Sequence, residues 1–281
     1  MTGLAGSPPA DHVLYDSSQR RTPFVEELLT VYQYRDLVLQ LIARTVKTRY
    51  KRSVLGVAWT MINPLLTMLV LTLVFSTIFK FDTGNYALFV LSGLLIWNFF
   101  AQSTTAAMGD LIWSGGLVGR IYLPKSAFSV AAIGTALVNL GFALLPYALI
   151  ALALGVRPAW TWLLLPLPAL MIALLALGVG LGLSAAAVYF PDVMPTYEVL
   201  LMAWMYLTPV IYPLRVLPGG VQQLLKFNPV YYPLTVFRAL LVDGALPSAA
   251  DVAIGLTAGL AALVMGWWVF TRRSREMAYR V

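Results

Sequence analysis

The stretch RTVKTRYKRSVLGVAWTMINPLL, residues 44–66, places a basic segment directly before an apolar one. Its first nine residues hold five cations, and the remainder is mostly apolar and contains Pro64. Cytoplasmic flanks of membrane spans are enriched in lysine and arginine, whereas a soluble fold has little use for such a boundary. The stretch therefore predicts the start of a first membrane span at the inner face.

The composition extends this reading to the whole chain. Of 281 residues, 60% are hydrophobic and 11% charged, with a mean hydropathy of +0.80. Soluble domains carry about 25% charged residues, so we expect a polytopic helical membrane protein. The net charge is +7, and the lysines and arginines lie beside apolar runs. This placement favours a role in membrane topology and in contacts with lipid headgroups over nucleic acid binding. The chain has no cysteine, which excludes a disulfide framework.

We predict an all-α fold with one membrane domain over residues 23–281. Residues 1–22 are expected to form a mobile cytoplasmic tail, residues 23–52 an amphipathic interface helix, and residues 271–281 a second cytoplasmic tail. Within residues 54–270, six stretches have about the 20 residues that a span needs, the fifth being short. They are 54–79, 86–106, 126–154, 162–189, 196–212 and 252–270.

The distribution of cations orients these spans. With both termini in the cytoplasm, 14 of the 19 lysines and arginines fall inside. Five fall outside: Lys80, Arg157, Arg215, Lys226 and Arg238. The excess on the inner side predicts a multi-pass protein of the cytoplasmic (inner) membrane with both ends inside.

The segment between the fifth and sixth spans is unusual. It is apolar and aromatic but broken by prolines and glycines, and its pieces 221–226 and 230–242 are too short to span. We expect two short re-entrant helices at the outer face. A gate or pore wall is one interpretation of them, and a structural cap is the other.

Groups that carry out catalysis are missing from the spans. The single histidine, His12, lies in the polar tail, and acidic residues are almost absent from the apolar runs. No G-x-x-x-x-G-K-[ST] motif is present. We therefore expect no catalytic residue, metal site or cofactor in this chain, and any energy for transport must come from another protein.

Four segments in order carry a family resemblance. They are RYKRSVLGVAWTMINPLL (49–66), AAMGDLIWSGGLVGRIYLPKSA (106–127), FPDVMPTYEVLLMAWMYLTPVIYP (190–213) and FNPVYYPLTVFRALL (227–241). Over residues 24–275 the chain resembles the permease subunit of ABC exporters that move lipid-linked polysaccharides such as O-antigen, capsule and teichoic acid. Two positions depart from the family pattern. Pro191 replaces the usual arginine before Asp192, and Thr208 replaces a serine but keeps the hydroxyl.

The resemblance implies a homodimer that works with two copies of a separate ABC ATP-binding subunit, which would hold ATP and Mg²⁺. The sugar path would follow the dimer interface, and the chain itself would be a transport permease and not an enzyme. Three alternatives stay open: a permease for a drug or simple lipid, a membrane-embedded transferase, and a passive channel or scaffold.

Four groups of candidate site residues follow. Apolar residues with little charge around 108–122 suit a coupling helix seated on the ATPase, although lipid binding is an alternative. This coupling group is Met108, Asp110, Leu111, Ile112, Trp113, Leu117 and Asp192. Basic residues suit a lipid diphosphate or the membrane interface. This basic group is Arg44, Lys47, Arg49, Lys51 and Arg52.

Aromatic residues can stack on sugars, although an interfacial belt explains aromatic residues equally well. The path candidates are Trp59, Phe75, Trp204, Tyr206, Tyr212, Tyr231 and Tyr232. The outer-gate candidates are Asn228, Pro229 and Arg238.

Overall fold

The computed structural model describes residues 23–51, 58–79, 83–113 and 125–277, and its regular elements in these ranges are all helical. The expected tail 1–22 lies outside the described residues, as do the last four residues of the expected tail 271–281. The α-helices are α1 Pro23–Gln33, α2 Arg35–Lys51, α3 Ala58–Phe79, α4 Thr83–Trp113, α5 Ser126–Ala153, α6 Pro166–Ala187, α7 Val193–Tyr206, α8 Gly219–Leu225, α9 Tyr231–Leu241 and α10 Ala249–Met277. Two short 3-10 helices cover Trp160–Leu164 and Leu214–Val216.

Four helical stretches in the described ranges are long and apolar enough to cross a membrane. They are Tyr86–Gly109, Ser126–Ala153, Trp160–Ala187 and Ala249–Arg273. These correspond to the second, third, fourth and sixth expected spans. The prediction of an all-helical, multi-pass membrane protein is confirmed by them.

The first and fifth expected spans differ from the other four. Helix α3 has 22 residues, and its apolar stretch within the described side chains is Met61–Phe75. Helix α7 has only 14 residues, which gives about 21 Å against the ~30 Å hydrocarbon core. It ends at Tyr206 because Pro209 lacks the backbone N–H that a further turn would need. The expected fifth span, 196–212, is thus α-helical only over residues 196–206, about two thirds of its length.

The expected interface helix, 23–52, is two helices instead of one. The break falls at Tyr34, although hydrogen bonds from Tyr34 N to the Thr30 carbonyl (2.9 Å) and from Val38 N to the Tyr34 carbonyl (3.1 Å) keep the chain closely wound. Helix α2 packs against α5 through buried Val38, while α1 contacts α10 and α5. Exposed apolar side chains such as Tyr32 and Leu39 on the other side suit contact with lipid.

Helix α4 is the centre of the molecule. Its apolar window is 78% buried inside the chain, against 22% for α10. It packs against α3, α5, α6, α7 and α9, with Leu91, Ile96 and Phe100 almost fully enclosed. Helix α4 is therefore the packing partner that these five helices share.

Glycines let α6 and α10 approach each other closely. A Cβ on Gly266 would collide with the Gly178 carbonyl oxygen, and a Cβ on Gly178 would collide with the backbone of Ala262. On α10, Gly255 and Gly259 form a G-x-x-x-G pattern and face Met171 of α6. Small residues of this kind bring membrane helices into backbone contact and favour their association by van der Waals packing.

The two ends of the helix bundle are distinct. At the α1 end, Glu27 of α1 accepts a hydrogen bond from the first residue of α5, Ser126, and the Arg273 guanidinium lies 5.0 Å from the ring centre of Tyr189. At the opposite end, called the α9 end here, the Tyr86 hydroxyl donates to the Ile211 carbonyl at 2.7 Å. The short helices α8 and α9 lie at this α9 end, close to the start of α4.

Candidate functional site

Arg238 projects from α9 toward the turn that ends α7. Its Nη1 donates to the Pro209 carbonyl at 2.5 Å, and its Nη2 donates to the Val210 carbonyl at 2.6 Å. Nη2 also donates to the Phe89 carbonyl at 3.3 Å, and Nε donates to Ser92 Oγ at 3.4 Å. The guanidinium carbon lies 3.6 Å from the Phe89 ring centre, a cation–π distance. One side chain thus joins α9, the turn after α7, and α4.

Asn228 holds the same turn from the other side. Its Oδ1 accepts from Trp204 Nε1 at 2.9 Å and from Val230 N at 3.0 Å. Its Nδ2 donates to Thr208 Oγ1 at 2.8 Å and to the Leu207 carbonyl at 3.1 Å. All four hydrogen-bonding positions of the carboxamide are therefore used.

We call Trp204, Thr208, Asn228 and Arg238 the turn clamp. Thr208 is fully buried, and its hydroxyl donates to the Trp204 carbonyl at 2.8 Å while it accepts from Asn228. The Thr208 hydroxyl therefore makes one hydrogen bond as donor and one as acceptor. Pro229, which is half-buried, follows Asn228 directly in the short connection that leads into α9.

Gly93 is part of this arrangement, although no feature of the sequence singles it out. A Cβ at this position would lie 2.5 Å from Arg238 Nη2 and 2.6 Å from the Val210 carbonyl oxygen. Both distances are shorter than real Cβ contacts. Only glycine on α4 leaves room for the guanidinium.

The path candidates separate into three environments. Tyr231 and Tyr232 are buried within the chain and meet edge-to-face at 5.2 Å. Trp204 is half-buried and packs edge-to-face on Phe100 at 5.1 Å, whereas Tyr206 is 60% exposed. Tyr212 is half-buried, and its hydroxyl donates to the Tyr206 carbonyl at 2.7 Å. Phe75 is half-buried against the main core. The Trp59 side chain lies outside the described residues.

Three residues of the basic group form a stripe on α2. Arg44, Lys47 and Lys51 are exposed, and their spacing of three and four positions puts them on one face of the helix. The side chains of Arg49 and Arg52 lie outside the described residues. The stripe lies on the side of α2 that is turned away from the α5 contact of Val38.

The coupling group is described only in part. Met108 is fully buried near the end of α4, so its side chain presents no surface to a partner in this conformation. Helix α4 continues through Trp113, beyond the expected end of the second span at residue 106. Asp192 is exposed at the start of α7. The side chains of Asp110, Leu111, Ile112 and Trp113, and all of Leu117, lie outside the described residues.

The hydrogen bonds between Ser126 and Glu27 at the α1 end were not predicted from the sequence either. Ser126 Oγ donates to Glu27 Oε1 at 2.7 Å, and Ser126 N donates to the same oxygen at 3.4 Å. Burial lowers the pKa of neighbouring Lys125, and the Glu27 carboxylate opposes this shift. The only sequence signal was a glutamate near the start of an interface helix. Its partner is 99 positions away.

Comparison with known proteins agrees with this architecture. The family described as "ABC-2 type transporter" matches residues 36–242, which is more than half of the chain. An O-antigen export system permease protein RfbA from Myxococcus xanthus is 29% identical over 250 residues, covering 88% of this chain and 96% of the relative. A protein of the same name from Klebsiella pneumoniae is 25% identical over 246 residues, covering 86% and 94%. The chain therefore belongs to the ABC-2 type transporter family of membrane proteins.

Proposed function

We propose that this chain is the permease subunit of an ATP-driven exporter that moves a lipid-linked polysaccharide of the O-antigen, capsule or teichoic acid type. The observation that carries the proposal is the similarity to O-antigen export permeases along almost the whole length of both chains. It is supported by the apolar helical bundle, which offers a route across a membrane.

The energy for export comes from a separate ABC ATP-binding subunit. This chain has no P-loop motif, whereas transport by ABC proteins is driven by ATP. The partner, which binds ATP and Mg²⁺, docks at the α1 end, where α4 ends at Trp113 and where Asp192 precedes α7. ATP binding closes the two partner subunits and rocks two copies of the permease apart.

The permease is a homodimer in the inner membrane with both termini in the cytoplasm. Six segments cross the membrane, with the segment that contains α3 as the first span and the 196–212 segment as the fifth. The short helices α8 and α9 re-enter from the outside. The accumulation of cations at the α1 end supports this orientation.

The basic stripe on α2 receives the anionic head of the lipid carrier. Arg44, Lys47 and Lys51 are exposed side by side, and arginine and lysine bind phosphate through charge-assisted hydrogen bonds. At the other end of the path, the turn clamp fixes the outer gate, because it joins α9 to α4 and to the end of α7.

Deletion and copurification test this proposal. Deleting the gene should remove the polysaccharide from the cell surface and leave the lipid-linked glycan inside, and the intact gene should restore export. A tagged chain should copurify with the ABC ATPase of the same cell. Unchanged surface glycan in the deletion strain would overturn the polysaccharide assignment.

A further inference from the structure

A polar cleft lies between α3, α4 and α5 in the described part of the chain. Its polar lining consists of Asn98, Gln102 and Asn139. The rest of the lining is uncharged as well: Pro64, Leu95, Phe99, Ala136, Leu140 and Ala143. None of these residues is in the groups considered above.

The carboxamides lie near the middle of their spans. Asn98 lies midway along Tyr86–Gly109, and Asn139 lies midway along Ser126–Ala153. Gln102 is one turn from Asn98 on the same face of α4. The cleft is therefore at the depth where hydrocarbon is the surrounding solvent.

Lipid is a poor occupant for a cleft at this depth. An amide without a hydrogen-bonding partner costs several kcal/mol in hydrocarbon, and Gln102 is exposed at the mouth. Hydrogen-bonding groups from outside this chain must therefore meet the mouth of the cleft.

The lining also defines the chemistry of the occupant. No side chain in it is charged, so the diphosphate of a lipid carrier has no partner there. Carboxamides both donate and accept hydrogen bonds and therefore match hydroxyl groups. Apolar walls with a few convergent polar groups are typical of small-molecule binding sites.

We propose that this cleft is a subsite for uncharged sugar hydroxyls, which Asn98, Gln102 and Asn139 contact as the glycan crosses the middle of the membrane. The proposal rests on the proposed function and adds the position and the residues of one contact point. It places the contact on α4, the most enclosed helix, and separates it from the tyrosines of the α9 end.

Photocrosslinking in cells that make the glycan tests the contact directly. Gln102→photoleucine, which carries a diazirine, should attach the glycan to the permease on irradiation, and carbohydrate staining of the purified chain detects the product. Leu137→photoleucine is the control, since Leu137 is 40% exposed on α5 only two positions from Asn139.

Export provides a second measurement. Asn98→Leu and Gln102→Leu should each lower the surface glycan about fivefold, the effect of losing about one hydrogen bond's net contribution. Gln223→Leu makes the same chemical change on exposed α8, outside the cleft, and should export normally. Thermal unfolding and ATPase copurification establish that each variant is folded and assembled.

The outcomes separate the two proposals. Glycan attached at position 102 and absent at 137, together with reduced export in both leucine variants, supports the subsite. No attachment at 102, or equal attachment at both positions, overturns the subsite while loss of surface glycan in the deletion strain still upholds polysaccharide export. Normal surface glycan in the deletion strain defeats the proposed function itself.

Discussion

Arg238 brings a positive charge to a place where the partners in the described structure are neutral oxygens. Two carbonyls of the turn after α7 accept from Nη1 and Nη2, and Phe89 and Ser92 of α4 complete the contacts. Hydrogen bonds with one charged partner are about twice as strong as neutral ones. Removing the guanidinium would leave several enclosed acceptors without donors, which costs more than the bonds themselves contributed.

We expect Arg238→Met to destabilise the protein by about 3 kcal/mol and to lower its export. Arg238→Lys should recover only part of the loss, because an ammonium cannot reproduce the planar set of donors. Thermal unfolding of the purified protein measures the effect. Arg157→Met removes the same charge from an exposed site at the same end and serves as the control; equal melting temperatures for the two methionine variants would contradict the role of Arg238.

Gly93→Ala tests the space beside that guanidinium. The added methyl group would lie 2.5 Å from Arg238 Nη2, so we expect a loss of about 1–3 kcal/mol from overpacking. Gly141→Ala in α5 is the matched control because nothing lies within 4 Å of its Cβ, and alanine should stabilise that helix by up to about 1 kcal/mol. If both variants melt alike, Gly93 has no packing role.

For individual side chains, the sequence indicated which residues matter better than it indicated which residues they contact. Asn228 and Arg238 could be singled out because they lie in a proline-broken aromatic segment. Their contacts could not, since the Arg238 bonds to α4 span 146 and 149 positions. Gly93 was missed for the same reason: a glycine in an apolar run has no local feature that shows which side chain needs its space.

Helices α6 and α10 depend on backbone contact at glycine. Gly178→Ala would drive a methyl group into the Ala262 backbone, and we expect a loss of about 1–3 kcal/mol with weaker packing of α10. Gly182→Ala, one turn along α6, has its nearest neighbour at 3.9 Å and should be tolerated. Thermal unfolding and protease resistance of the two variants make the comparison, and similar values would show that the α6–α10 contact does not need glycine.

Element boundaries followed local signals where such signals exist. The end of α7 before Pro209 and the starts of α8 and α9 near Pro218 and Pro229 are consistent with proline's missing N–H. The break at Tyr34 has no glycine or proline to announce it. The extension of α4 to Trp113 was missed because hydropathy falls near residue 106 while helix formation continues.

The orientation of the whole molecule can be tested by labelling, because the chain has no cysteine of its own. Ser248→Cys lies before α10 at the α9 end, and Arg272→Cys lies near the other end of the same helix; both positions are exposed. A membrane-impermeant maleimide should label residue 248 in intact spheroplasts and residue 272 only after permeabilisation. The reverse pattern would contradict the placement of both termini in the cytoplasm.

For the whole molecule, composition was enough to predict a multi-pass helical protein, and the four motif segments predicted the family. The arrangement of helices around α4 could not be predicted from the sequence, because an apolar helix has a similar composition whether it faces protein or lipid. Leu91 is 1% exposed and Leu73 is 71% exposed, yet both lie in continuous apolar runs.

ATP-dependent translocation in proteoliposomes tests the central claim most directly. The permease and its ATPase are reconstituted with the lipid-linked glycan, and a lectin added outside measures the glycan that remains accessible. We predict that ATP lowers this accessible fraction when the ATPase faces outward and that the permease alone has no effect. Loss of accessible glycan without ATP or without the ATPase, or no loss with the complete system, would contradict the account.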